Sequence, residues 1–316
     1  METRSILTIQ IEDALEKATE CPLCYLTEKS ETRFIETFYS EWIMDPGCRA
    51  NVLRSRGFCN YHLHQLLRFT ENHPEKHGLA IILEDLVRDR LKSLERLCDD
   101  DHNPIGIGSQ ADLLATLKHL LLGRTPESLH RFAQEVFVNL SHMESLCPAC
   151  LSLSESDRSN CQTMIRMMVE DQGFRIIFKE SNGLCLPHLT ELMRFASERL
   201  DRQSFSSVVE ILLPLQVKRF KRLKFELSEF IRKQDYRFRK EGFGPEFDVV
   251  ERTILKLIGS PCHGSIQRRI MNLTDTDLDS QIESSKKCEG RRTGQNRVHC
   301  CASTVHGSAP RTDEES

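Results

Sequence analysis

The sequence lacks most of the features that usually announce a function. Among its 316 residues it has one tryptophan and four tyrosines, and its 43 basic side chains nearly balance 47 acidic ones. A formal net charge of -4 gives the whole molecule no pull toward nucleic acid or an anionic surface. Apolar runs such as residues 80–83 and 120–122 fall far short of the roughly 20 residues that a membrane-spanning helix needs. The first twenty residues mix Ile and Leu with Glu12, Asp13, Glu16 and Lys17, so no secretory apolar core is expected. There is no G-x-G-x-x-G, Walker loop or G-x-S-x-G, which leaves the common nucleotide and acyl-transfer chemistries without a motif. Few aromatics, plentiful Leu, and Gly and Pro confined to a few places argue against a sandwich or barrel and for an all-α chain.

What the sequence does have is cysteine, thirteen of them. Cys21-Pro-Leu-Cys24 is answered by Gly57-Phe-Cys59-Asn-Tyr-His62, and Cys147-Pro-Ala-Cys150 by Gly183-Leu-Cys185-Leu-Pro-His188. In both copies 34 residues separate the inner cysteines, and each of the eight side chains lies 126 positions from its counterpart. Such a period is the mark of internal duplication. A C-x2-C and a C-x2-H pair each present two donors from one turn of backbone, and two pairs together make a Cys3His tetrahedron suited to structural zinc. Two zinc ions are therefore expected, held by Cys21, Cys24, Cys59 and His62 and by Cys147, Cys150, Cys185 and His188. Each copy is read as self-sufficient because the two 34-residue spacings are equal. An iron–sulfur cluster is the chemical runner-up. Six of the cysteines at ligand spacing, in a chain without a secretory core, point to a reducing, cytoplasmic setting rather than to disulfides.

The likeness between copies reaches beyond the ligands, with eleven identities in the 25 aligned positions from 45 to 69. Among them Asp45 and Arg49 repeat as Asp171 and Arg175, candidates for pairs that orient the metal site. Apolar periodicity and breakers place helices over 5–19, 34–43, 49–56, 77–98, 113–122 and 129–146. Further helices are expected from 204 to 232, kinked near Pro214, and from 246 to 258. Cys59 and His62 should open a helix running to Phe69, whose free N–H groups favour the anionic site. The stripe Leu79, Ile82, Leu83, Leu86, Val87, Leu91, Leu94 and Leu97 reads as core. Four parts follow: a first metal-binding repeat at 1–104, connecting helices at 105–142, a second repeat at 143–260, and a tail at 261–316. The tail reads as disordered, with Cys262, Cys288, Cys300 and Cys301 as unstructured thiols.

The paired Cys-Pro-x-Cys and Cys-x-x-His motifs, with the block Phe230-Ile-Arg-Lys-Gln-Asp-Tyr-Arg-Phe238, resemble an uncharacterised prokaryotic domain-of-unknown-function family over about residues 8 to 260. The resemblance implies a two-copy helical metal-binding architecture and supplies no activity.

These features point first to a non-catalytic, zinc-stabilised helical adaptor that binds a protein partner. A second reading is nucleic-acid binding through Lys218, Arg219, Lys221, Arg222, Lys224, Arg232, Lys233, Arg237, Arg239 and Lys240, with Phe225, Tyr236 and Phe238 interleaved. Iron–sulfur or thiol redox chemistry is a third. The sequence is silent on oligomeric state.

Overall fold

The computed structural model describes residues 5–72, 76–98, 134 and 147–262. Among the described residues the regular structure is entirely helical. The helices expected over 113–122 and 129–146 and the tail beyond 262 lie outside the described residues, Gln134 excepted.

The first copy comprises α1 (Ile6–Lys17), α2 (Pro22–Thr37) continued by a π-helical turn (Phe38–Trp42), α3 (Pro46–Arg54), α4 (Asn60–Asn72) and α5 (His77–Cys98). The second comprises α6 (Pro148–Glu170), α7 (Gln172–Glu180), α8 (Leu186–Arg199) and α9 (Arg202–Lys233), followed by α10 (Val249–Ile258). The duplication sets helix boundaries as well as ligands, since α2, α3 and α4 begin 126 residues before α6, α7 and α8. Local chemistry accounts for the shared starts. Pro22 and Pro148 occupy the first helical position, where a missing N–H costs nothing. Asp45 and Asp171 cap α3 and α7 by accepting from Cys48 N at 2.8 Å and Phe174 N at 3.0 Å. The expected helix at 49–56 therefore starts earlier, at Pro46, and ends before Arg56 and Gly57, which both take positive φ.

Two cores organise the chain, and each draws on both copies. The first gathers Ile11 and Ala14, Leu23 and Leu26 from the start of α2, Met164 and Met168 from the end of α6, and the inner faces of α7, α8 and α9. The second gathers Phe34 and Ile35 from the end of α2, Ala149 from the start of α6, and Val52, Phe58, Leu66, Leu79 and Ile82. The helices α2 and α6 thus run through both cores in opposite directions. Midway, Ser30 Oγ lies 3.1 Å from Ser156 Oγ, and these positions are 126 apart, so equivalent residues meet on a local pseudo-twofold axis.

The α5 stripe departs from its expected role as core. Leu79 and Ile82 are buried and Leu86 packs on the second core, while Val87, Leu91 and Leu94 are exposed. Helix α10 is also turned over: it buries Arg252 and Lys256 and exposes Val250, Ile254, Leu257 and Ile258. The buried cations are matched. Arg252 meets Glu226 at 2.7 Å, Asp248 at 2.8 Å and Glu20 at 3.5 Å. Lys256 Nζ lies 3.3 Å from Glu20 Oε2 and also donates to the backbone carbonyls of Glu20 and Asn182. Removing one member of a buried pair strands the other charge, at a cost of about 3–5 kcal/mol. Lys256→Met is therefore expected to destabilise the metal-loaded protein by about that amount in urea unfolding, and a change near zero would show that Lys256 is not held as described.

Candidate metal centres

The eight Cys and His side chains assemble as two buried quartets, but not within copies. Centre 1 is Cys21, Cys24, Cys185 and His188, and centre 2 is Cys59, His62, Cys147 and Cys150. Each takes its C-x2-C pair from one copy and its C-x2-H pair from the other, which corrects the self-sufficient assignment. The reason lies in α2 and α6, the spine helices shared by both cores: each Cys-Pro-x-Cys turn opens a helix in one core, and the chain then runs into the other core before reaching its own Cys-x-x-His turn.

The spacing within each quartet suits one small ion. In centre 1, Cys24 and Cys185 sulfurs are 3.6 Å apart, and His188 Nδ1 lies 3.5, 3.4 and 3.1 Å from Cys21, Cys24 and Cys185. In centre 2, Cys59 and Cys150 sulfurs are 3.8 Å apart, and His62 Nδ1 lies 3.1, 3.7 and 3.2 Å from Cys59, Cys147 and Cys150. Bond lengths of about 2.3 Å to sulfur and about 2.0 Å to nitrogen around a tetrahedral zinc require donor separations of about 3.5–3.8 Å. The sulfurs are too far apart for disulfides, and all six cysteines are free.

Electrostatics also favour a cation. The Cys21 and Cys24 sulfurs, then burial, push the Cys185 thiol far above its ordinary value, and Cys147 with burial does the same to Cys150. Burial raises Cys21 too, but hydrogen bonds from Cys185 and Cys24 outweigh it and draw that thiol well down. Left to themselves the crowded sulfurs ionise one at the others' expense, whereas a dication lets all three ionise together. Helix starts help. Cys185 caps α8 and accepts from His188 N at 3.4 Å, while Cys59 accepts from His62 N at 3.3 Å.

The histidines are backed by carboxylates that sequence reasoning missed. His188 Nε2 hydrogen-bonds Asp157 Oδ1 at 3.0 Å, and His62 Nε2 lies 3.3 Å from Glu31 Oε1. Positions 31 and 157 are again 126 apart, so the duplication offset could have found them. Each spine helix gives its cysteines to one centre and its carboxylate to the other's histidine, leaving Nδ1 for the ion. Asp45 and Asp171 act as the caps of α3 and α7. Arg49 Nε donates to Asp85 of α5 at 2.9 Å and so ties α3 to α5, and Arg175 Nε donates to the Met168 carbonyl near the end of α6 at 2.6 Å.

A family profile matches residues 1–263, and its description is a family of unknown function, DUF6062. The chain belongs to DUF6062. No curated protein and no solved structure matches it. The DUF6062 match ends just past the last described residue, Cys262, and that cysteine is no loose thiol. It is buried beside Leu153 and Tyr61, with Glu31 and His62 in reach. Cys288, Cys300 and Cys301 lie outside the described residues.

Much of the basic segment is already engaged. Arg222 pairs with Glu226 at 2.6 Å, Arg232 with Glu229 at 2.8 Å and Glu241 at 2.6 Å, Lys233 with Glu246 at 2.6 Å, and Arg237 with Asp235 at 2.7 Å. Arg219 donates to the Ser181 and Glu180 carbonyls at 2.9 and 2.7 Å. Lys218, Lys221, Lys224 and Lys240 form no ion pair with another described residue, and nothing is described of the Arg239 side chain. No described helix is long and apolar enough to cross a membrane.

Proposed function

We propose that the chain is a non-catalytic adaptor in which two zinc ions hold the interlocked copies together and the outer surface receives a protein partner. Closure carries this reading. In each centre four donors converge on one point, and every donor residue is at most 6 % exposed. A catalytic zinc keeps a position open for water or substrate. Zinc is favoured over an iron–sulfur cluster by size, because a cluster interposes several irons and sulfides between its ligands. Here the donors of each quartet all lie within 4.8 Å of one another, and each histidine nitrogen stands 3.1–3.7 Å from its three sulfurs. A protein partner is favoured over nucleic acid because the arginines of 218–237 are spent on carboxylates and carbonyls. The apolar side chains of Phe247, just ahead of α10, and of Val250, Ile254 and Leu257 on it are exposed. Free buried thiols fit a reducing compartment.

Elemental analysis of protein purified without added metal tests the reading. Two zinc per chain, a colourless solution, and a fall to one zinc in Cys59→Ala are expected. A brown protein, or a zinc content indifferent to Cys59→Ala, would overturn it.

A further inference from the structure

Helix α10 is seated by its charges. The residues it buries are Val249, Arg252 and Lys256, while Val250, Ile254, Leu257 and Ile258 are exposed. The polar contacts of its buried side end beside centre 1. Lys256 has no exposed surface, and its Nζ lies 3.3 Å from Glu20 Oε2. It also donates to the Glu20 carbonyl at 3.3 Å and to the Asn182 carbonyl. Glu20 immediately precedes Cys21, and Asn182 stands shortly before Cys185, so one ammonium bridges the two ligand turns. Just past the helix, Ser260 N donates to Cys24 Sγ at 3.4 Å.

The turn at 181–184 belongs to no helix, so its backbone groups need partners from elsewhere. Arg219 of α9 donates to the Glu180 and Ser181 carbonyls at 2.7 and 2.9 Å. Gln216 of α9 grips Leu184 with both ends of its amide, accepting from the N–H at 3.0 Å and donating to the carbonyl at 2.7 Å. Lys256 takes the Asn182 carbonyl between them. Gly183 allows the close approach, since it holds φ +74° and a Cβ there would stand 2.3 Å from Gln216 Oε1. Asn182 Nδ2 reaches across to the Thr19 carbonyl at 2.7 Å and ties this turn to the one before Cys21. Burial pulls the Lys256 ammonium below its usual range, while Glu20 and the Cys21 and Cys185 sulfurs support its charge.

We infer that Lys256 and Gln216 are positioning residues of centre 1, and that ion loading there and the seating of α10 are one linked equilibrium running through centre 1 rather than centre 2. The inference rests on the metal-binding reading above. A buried ammonium is tolerable only while its partners hold their places. The partners of Lys256 are a carboxylate and two carbonyls in the ligand turns, which are fixed when four donors close on one ion. The seated lysine in turn holds the two turns at the separation that the ion needs. Each event stabilises the geometry the other requires, and such coupling is reciprocal. Beyond α10 the chain buries Cys262 against Leu153 and Tyr61, a contact that involves neither Lys256 nor Gln216.

The test titrates the full zinc-loaded chain with a chelator while N-ethylmaleimide marks each thiol as it is freed. In Lys256→Met, Cys21, Cys24 and Cys185 should be alkylated at about tenfold lower chelator than in the wild type, with Cys59, Cys147 and Cys150 unmoved. Gln216→Ala, which strands no charge, should shift the same three cysteines in the same direction. The reverse arm follows amide hydrogen exchange over 250–258. It should rise in Cys185→Ala, which empties centre 1, and far less in Cys59→Ala, which empties centre 2. Equal shifts at both sets of cysteines, or no shift in either variant, overturn the linkage and leave two-zinc binding intact. So does α10 exchange that is the same in both cysteine variants. A shift confined to Lys256→Met strikes Gln216 from the pair. If Cys185→Ala fails to fold, the alkylation arm decides alone. A chain that carries no zinc at the outset refutes the metal-binding reading, and the linkage falls with it.

Discussion

Stripping both ions with a strong chelator is expected to unfold the chain rather than loosen it. A structural zinc contributes on the order of 10 kcal/mol or more to folding, and a whole domain is stable by only about 5–15 kcal/mol. The donor residues are not peripheral here. Cys21, Cys24 and Cys185 are members of the first core, and Cys59, Cys147 and Cys150 of the second. Removing an ion therefore leaves thiols and an imidazole facing one another in the middle of apolar packing. The far-ultraviolet helical signal should collapse on chelation and return when zinc is restored. A metal-free chain that keeps its full helicity and a sharp unfolding transition would mean the cores hold without the ions.

Paired cysteine substitutions should expose the exchange of ligands between copies. Cys21→Ala with Cys185→Ala damages only centre 1 and should leave one zinc per chain. Cys21→Ala with Cys59→Ala, two changes in one copy, damages both centres and should leave none. If each copy closed its own site, the two results would be reversed. Native mass spectrometry counts the ions directly, and the reversed pattern would refute the crossed arrangement. The contrast is large because a Cys3His set short of one thiolate loses a charge and a strong bond together.

Much of this was legible in the chain. Pro22, Pro148, Asp45 and Asp171 start helices through local chemistry that needs no tertiary context, whereas apolar periodicity placed the first of these helices late, at 34–43, and the next at 49–56. The eight donors were legible for a similar reason: two side chains three residues apart at a helix start are neighbours in any fold. The backing carboxylates were not, because Glu31 and Asp157 lie well away from the turns they serve and resemble any polar helix residue. Leu91 and Leu94 misled because a helical period reports which residues share a face and says nothing about whether that face is covered. In α10 the periodicity did not show which face is covered, since Arg252 and Lys256 are buried by Glu20 and Glu226, which lie far off in the sequence. Cys262 belongs here too, for its burial comes from contact with Tyr61, far away in sequence.

By itself the amino-acid order determined an all-helical duplicated chain carrying two sets of soft donors, because capping, periodicity and ligand spacing act over a few residues. Which pairs join was left to the tertiary structure. Equal 34-residue spacings permit closure within a copy or between copies. The choice falls to α2 and α6, which bury residues in both cores while running in opposite directions and so deliver each Cys-Pro-x-Cys turn to the other copy's Cys-x-x-His turn.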